Sequence, residues 1–543
     1  MGRTQPIAKQ PTKYSVCPSL STSTLLRDKN GQTTPQGGRG RTPRAAAAAA
    51  MDAAAAARRL RAFKRWMRAR GVVCSDALRL DASDPLGVHV HAVAPIREGD
   101  LVATIPRGAC LTPRTTGAAG AIEAAELGGC LALAVAVMYE RARGGDSPWD
   151  AYLQLLPDRE SVPLVWPADE AERLLAGTEL DKIVKQDREF LCEDWKECIE
   201  PLISSGELDV HPDDFSLDKY FSAKTLVSSR SFQIDDYHGF GMVPLADLFN
   251  HKTDGEHVHF TSASDDSDSD GEDDDEQSDA SADDQSTIEN PTNSPSGSRV
   301  DDEDLEMIVV RDANEGEEVY NTYGTMGNAA LLHRYGFTEL DNQYDIVNID
   351  LAMVTKWCTS IFSSRHARAR VSLWRNLGYS GCTSQDAEYF EISYDGEPQL
   401  ELLILLYIIT LKPDVYDKLI CVARDLVGDE EHDTIHNVVK FVNGTSSTPN
   451  SKLNGHDELH DVMKKFLHSE SICSALLSLA DMRESLYGSN TLEDDEEKLQ
   501  ACCIVTERKL YHSLVLRVSE RRILCRLRKY ASSRSKTKKR KHP

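Results

Sequence analysis

The chain has 543 residues, 40% of them hydrophobic and 27% charged, with a formal net charge of −25. The length suggests roughly three to four domains, and the proportions are those of a globular protein. The acidic balance excludes a general nucleic-acid binder, which needs a basic surface to displace counterions, and the longest apolar runs, 127–139 and 402–411, fall short of the ~18 residues of a membrane span.

Residues 1–57 are rich in Ser, Thr, Pro, Gly and Ala and poor in large apolar side chains. They cannot bury enough surface to offset the entropy of ordering, which predicts a disordered tail. The tail holds Arg and Lys with one acidic residue before Asp52, so it also fits a transit peptide or sequence upstream of a start at Met51. It has no central apolar region of the secretory kind. Order is expected from Arg58, where Leu60, Phe63, Trp66 and Met67 recur at helical spacing and Gly71 stops the helix. Val88–Val93 and Leu101–Ile105 read as strands joined by a hairpin turn at Ile96–Asp100. Met307–Val310 and Val319–Tyr323, with Glu315-Gly316-Glu317 between them, repeat that pattern some 210 residues later. Two such hairpins predict one sheet-rich domain, about 58–345, interrupted twice. The first interruption, about 120–225, reads as helical, with helices over Ile122–Met138, Leu180–Ile203 and Asp218–Phe232.

The second is a predicted disordered loop over 262–304, within which residues 265–304 carry seventeen Asp or Glu and one Arg. From Val354 to Tyr530 the pattern is mostly helical, with a linker at Asn443–Gly455, so 346–530 is expected to be a second domain. Residues 531–543 end in a basic tail, a nuclear-import pattern. Thirteen scattered Cys without CxxC spacing predict reduced thiols and no zinc or disulfide framework.

Two segments carry chemistry: Met242-Val-Pro-Leu-Ala-Asp-Leu-Phe-Asn250-His251, and Glu317-Glu-Val-Tyr-Asn-Thr-Tyr323-Gly-Thr-Met-Gly-Asn328 leading to Tyr335-Gly336-Phe337. On chemistry alone, an Asn-His pair after an apolar strand also fits a turn, and a Tyr in a strand also fits a core. Taken in this order, with Trp149-Asp-Ala-Tyr-Leu-Gln-Leu-Leu-Pro157, Val165-Trp-Pro167 and Ser231-Phe-Gln233, they resemble the SET-domain protein methyltransferases of the branch typified by the Rubisco large-subunit enzyme.

The resemblance implies an α+β fold: a β-rich SET domain split by a helical insert, followed by an all-α substrate-binding domain. It implies S-adenosylmethionine as methyl donor, no metal, and a protein substrate presenting a lysine. Tyr323 would be catalytic. Leu86, Gly87, Val88, Arg230, Asn250, His251, Tyr335 and Phe337 would bind the donor. Cys130, Ser231, Gln233 and Asp247 would lie toward the substrate. Three departures stand out. Gly87-Val88-His89 lacks the second glycine of the family's donor loop, and His89 is expected as a strand residue with its ring outside. Cys130 stands where a Trp is common, and Lys252 follows His251 with no terminal Cys cluster, which fits the non-histone branch. The expected protein is a monomeric lysine methyltransferase without direct nucleic-acid or membrane partners. It is expected in the nucleus, with cytoplasm and chloroplast as lesser alternatives. A non-histone substrate is expected, with histone and ribosomal proteins left open. The alternatives are a histidine methyltransferase of a sister branch and an inactive SET module serving as a scaffold.

Overall fold

The computed structural model describes residues 43–82, 87–206, 208–262, 304–378, 382–384, 387–425 and 469–536. Leu86, most of the N-terminal tail, the acidic segment, the Asn443–Gly455 linker and residues 537–543 of the basic tail lie outside them, while 531–536 continue the last helix instead of forming a tail. Met1–Ala55 forms a unit of its own, in which only the start of helix α1 (Pro43–Ala69) is described; the rest of the fold belongs to Ala56–Pro543. The predicted apolar stripe of α1 faces inward. Phe63 and Met67 are buried, and Trp66 stacks on Phe63 and on Tyr152. Gly71, at φ +77°, takes the left-handed conformation that ends such helices.

Strands β1 (Val73–Cys74), β2 (Leu78–Asp81), β3 (His89–Ala92) and β4 (Leu101–Ile105) come next. The expected hairpin between β3 and β4 does not form. β3 pairs with β2, while β4 lies between β1 and β8 (Leu305–Val309), which in turn pairs with β7 (Val258–Ser262). The second expected hairpin is also absent. Residues 316–319 leave β8 and run beside β3, with Ala92 N–H donating to Glu317 O at 2.9 Å and Val319 N–H to Val90 O at 2.7 Å. The two glycine turns therefore carry the chain between the two sheets side by side in opposite directions. Gly99 and Gly316 supply the positive φ (+87° and +90°), Ile96 bridges to Ala313, and Asp312 accepts from Glu98 N–H at 3.0 Å and Arg97 Nη1 at 2.8 Å. The eight residues between β3 and β4 exceed the usual hairpin loop of two to five.

The helical insert contains α2 (Ala119–Ala124), α3 (Gly129–Arg143), α4 (Asp150–Leu153), α5 (Ala168–Leu175), α6 (Leu180–Asp194), α7 (Glu200–Ser205) and α8 (Leu217–Arg230). The single helix expected over Ile122–Met138 is broken, because Glu126 and Gly129 adopt positive φ. Ala132–Met138 of α3 are all buried, so this helix is enclosed by the insert and the sheets. α6 reaches α7 through a wide turn at Trp195–Ile199, and Pro201 follows where a helix tolerates its missing N–H. α8 stops at Arg230, so Ser231 and Phe232 open strand β5 (Ser231–Asp235) instead of extending the helix; β5 pairs with β6 (Gly239–Met242).

One core runs from Phe63 to Val319. Helix α9 (Asn328–Tyr335) follows it, and a second core then draws on Val347–Ala531. This second region was expected to be all helix. It is helical but for a three-stranded sheet of β9 (Val347–Asp350), β10 (Cys382–Ser384) and β11 (Ala387–Ile392), with β11 central. Around it lie α10 (Leu351–Ile361), α11 (Ser364–Asn376), α12 (Leu400–Thr410), α13 (Pro413–Asp425), α14 (Glu470–Glu484), α15 (Leu492–Ala501) and α16 (Arg508–Lys536). The two regions are joined through the insert. Trp166, Leu175, Leu332 and Leu516 share a third apolar cluster. Buried Arg483 donates to Gly177 O at 2.6 Å and to Glu179 at 2.9 Å, and Glu179 N–H donates to Glu520 at 3.0 Å.

Candidate active site

The first part of the site is built where α8 ends. After β6 the chain turns through Leu245, buried at φ +83° and ψ −49°, near the rare and strained γ-turn. The following 3₁₀ turn, Ala246–Leu248, carries Asp247 into the interior. Its Oδ2 accepts from the Tyr152 hydroxyl at 2.9 Å, and Arg230 Nη1 donates to its backbone oxygen at 3.0 Å. Arg230 Nε donates to Glu160 at 2.6 Å. The other oxygen of Asp247, Oδ1, is buried without a partner among the described residues. Burial pushes the Asp247 carboxyl up to about 6, with Arg230 pulling the other way.

The second part comes from two strand-like segments lying side by side. Asn321 N–H donates to Asn250 O at 2.8 Å, and His251 and Asn321 form a parallel bridge. That register puts Tyr323 against His251. Tyr323 N–H donates to His251 Nδ1 at 3.0 Å, so Nδ1 is an acceptor and the ring proton sits on Nε2, 3.1 Å from the Thr253 hydroxyl. Burial lowers the His251 pKa and keeps the ring neutral. The Tyr323 hydroxyl donates to Phe249 O at 3.0 Å, and burial pushes its pKa up. The Tyr323 ring is stacked between His251 (5.1 Å) and Tyr335 (4.5 Å), and Phe337 lies 6.2 and 6.3 Å from His251 and Tyr335.

The Tyr335-Gly336-Phe337 turn is set by packing. Gly336 has φ +75°, and a Cβ there would stand 2.7 Å from Ser161 O of the insert. Only glycine lets α9 end so close to that loop. Asn328, at the start of α9, donates to Glu339 O at 2.9 Å and to Asp345 at 2.8 Å, pinning the chain beyond the turn.

The third part lies on the other side of Asn250. Its Nδ2 donates to Glu318 Oε1 at 2.7 Å, His89 Nδ1 lies 2.8 Å from the same oxygen, and the Tyr320 hydroxyl donates to Oε2 at 2.9 Å. His89 was expected with its ring outside; it is instead part of the site. β3 carries it to the segment that pairs with 316–319, a contact across 229 residues of sequence. Burial alone would raise the Glu318 pKa, yet bonds from His89, Asn250 and Tyr320 hold the carboxylate ionised with its pKa at about 2.

Among the residues singled out from sequence, Arg230, Asp247, Asn250, His251, Tyr323, Tyr335 and Phe337 converge. Gly87 is exposed with open space where a Cβ would project, and Val88 is half-buried beside His89. Ser231 is half-buried and Gln233 exposed on β5. Cys130 sits at the start of α3, half-buried and within electrostatic reach of Tyr220 on α8, and takes no part in the contacts above. Sequence reasoning missed Tyr152, Glu160 and Glu318. Tyr152 and Glu160 lie within or beside the Trp149–Pro157 motif, and Glu318 lies within the Tyr323 motif, but only long-range contacts reveal their roles. No cluster of three or more His, Cys, Asp or Glu among the described residues is placed to hold a metal ion.

No family model matches the chain. It is 27% identical over 385 residues to ribosomal lysine N-methyltransferase 3 of Saccharomyces cerevisiae, covering 58% of this chain and 68% of the relative. It is 28% identical over 338 residues to the N-lysine methyltransferase setd6 of Salmo salar, covering 59% and 66%, and 27% identical over 309 residues to that of Mus musculus, covering 54% and 57%. The chain thus spans between about half and two thirds of these relatives. In three dimensions it overlays Rubisco LSMT bound to AdoMet with a TM-score of 0.58 at 17% identity, over 88% of this chain and 92% of the other. The SET domain of LSMT bound to lysine and AdoHcy gives 0.57 over 88% and 91%. Coverage of that extent takes in both cores. The chain has the fold of the LSMT SET-domain structures. Within this SET fold, the parallel pairing of 249–251 with 321–323 is what gathers residues from two distant segments into one site.

Proposed function

We propose that this SET-domain protein transfers a methyl group from S-adenosylmethionine to the side-chain amine of a lysine in a protein substrate. The observation that carries the reading is Tyr323: a half-buried neutral phenol held by Phe249 O, stacked between His251 and Tyr335, where the two segments pair. The residues present fit the donor. Aromatic faces of Tyr335 and Phe337 suit a purine, the ionised Glu318 suits a cation, and open space at Gly87 leaves its backbone approachable. Asn250, His251 and Arg230 would hold the donor from the remaining sides.

When bound, the donor supplies a methyl on a cationic sulfonium that needs no further activation. The chain must align the acceptor nitrogen and keep water out. An incoming lysine has a pKa near ~10.4 in water, and burial beside a positive charge lowers it. The Tyr323 proton is committed to Phe249 O, so its oxygen lone pairs accept from an amine N–H and turn the nitrogen lone pair toward the methyl. Burial keeps that phenol protonated, so it orients and does not act as a base. The unpartnered oxygen of Asp247 is a second acceptor for the amine, braced by Tyr152 and near Arg230.

A non-histone protein substrate, a monomeric state and nuclear residence belong to the same proposal. The substrate reading is supported by Lys252 after His251, and nuclear residence by the basic tail. The first test is calorimetric titration of the full chain with S-adenosylmethionine. Binding is expected, and weakened by Asn250→Ala and His251→Ala in variants whose melting is cooperative. No heat and no thermal shift at millimolar donor would leave the inactive-module reading.

A further inference from the structure

We propose that the His89–Glu318 pair sets the charge at the donor end of the cleft, so that protonation of His89 weakens the preference for cationic donor over neutral product. The inference rests on the reading that the Asn250 segment holds the donor. A nitrogen 2.8 Å from a carboxylate oxygen carries a proton, so Nδ1 of His89 donates to Glu318, and the amide of Asn250 also donates to Glu318. The remaining nitrogen, Nε2, is then the one that gains or loses a proton. With His89 neutral the pair has one negative charge; with His89 protonated it has none.

Donor and product differ at sulfur by one positive charge, a sulfonium against a thioether. A net negative pair favours the first over the second, and a neutral pair does not. Histidine is the side chain suited to make that change between pH 5 and 8. Glu318 does not titrate in that range, since its pKa is held at about 2. Among the described residues, these charged and titratable groups lie near the pair. Asp81 pairs with His89 in register from β2, and His91 stacks at 6.2 Å on the same strand. Tyr320 bonds Glu318, and Lys252 and His257 approach the Tyr320 ring at 5.4 and 5.9 Å. His91 and His257 are imidazoles near this pair, so each needs its own control.

The test is calorimetry of S-adenosylmethionine and S-adenosylhomocysteine on the full chain between pH 5.5 and 8.5. The ratio of product Kd to donor Kd should rise by about five- to tenfold across that range, the scale of one partly screened charge. His89→Asn should flatten the ratio, Glu318→Gln should lower it at every pH, and His91→Asn and His257→Asn should keep the wild-type slope. A pH-independent ratio in the wild type, or a slope that survives His89→Asn, overturns the proposal while leaving donor binding intact. If neither ligand binds the wild type, the donor-site reading itself fails.

Discussion

Replacing Tyr323 by Phe removes one oxygen and leaves the ring between His251 and Tyr335. Methyl transfer should fall roughly 10²-fold or more, the scale of one oriented group at a reacting centre. Donor affinity should hold, and stability should fall by about 1 kcal/mol for the bond lost at Phe249 O. Asp247 gives a pH prediction. Its folded pKa, about 6, lies above the ordinary 3.8, so the folded state binds its proton more tightly. Its contribution to stability is therefore full below pH 3.8 and lost as pH rises toward 6. Asp247→Asn should remove that slope. Urea midpoints from pH 4 to 7 should show the variant gaining on wild type by about 2–3 kcal/mol; parallel curves would mean the carboxylate is not desolvated. These two residues also mark how far the sequence speaks at this scale. The order of motifs singled out Tyr323, Asn250, His251, Tyr335 and Phe337. No local pattern could show that His89 and Glu318 share a proton, because their meeting depends on pairing across 229 residues.

Among the elements, the junction of insert and C-terminal helices is the most exposed to test. Gly177 has φ +77°, and a Cβ there would lie 2.4 Å from the backbone oxygen of Leu486. Gly177→Ala should cost about 2–4 kcal/mol from overpacking and the left-handed backbone together, read as a drop in thermal midpoint. An unchanged midpoint would mean the insert and α14 are not locked there. Most helices were legible from apolar spacing, and α8 falls close to its expected bounds, but α1 begins at Pro43 inside the tail expected to be disordered, where an Ala-rich run continues the helix upstream of Arg58. The helix expected over Ile122–Met138 failed because Glu126 and Gly129 break it, and apolar spacing does not report a positive φ. The two hairpins failed for another reason. Strand propensity marks which residues extend and says nothing of which partner they choose. β4 finds β8 and β3 finds 316–319, each about two hundred residues away. The sheet β10–β11–β9 was missed because its strands have three, six and four residues, too short to stand out among long helices.

At the scale of the whole molecule, the acidic segment joins two strands that already touch. Ser262, the last residue of β7, pairs with Leu305, the first of β8. Deleting Asp265–Asp304 therefore shortens one connection between adjacent strands, and each halving of loop length changes closure by only ~0.6 kcal/mol. The deletion variant should fold, bind donor and melt close to wild type. What should change is the salt dependence of kcat/KM on a basic peptide, because a charged segment steers encounter and salt screens it. Parallel salt curves for the two proteins would reduce the segment to a spacer. The central claim, that the pairing of 249–251 with 321–323 builds a lysine methyltransferase site, is tested most directly by isotopic methyl transfer. The full chain and its Tyr323→Phe variant are incubated with labelled S-adenosylmethionine and a protein extract, and the modified residue is located by mass spectrometry. The prediction is label on lysine side chains with wild type and its near loss with the variant. Label on histidine, equal label with both proteins, or none from a chain that binds donor would contradict it.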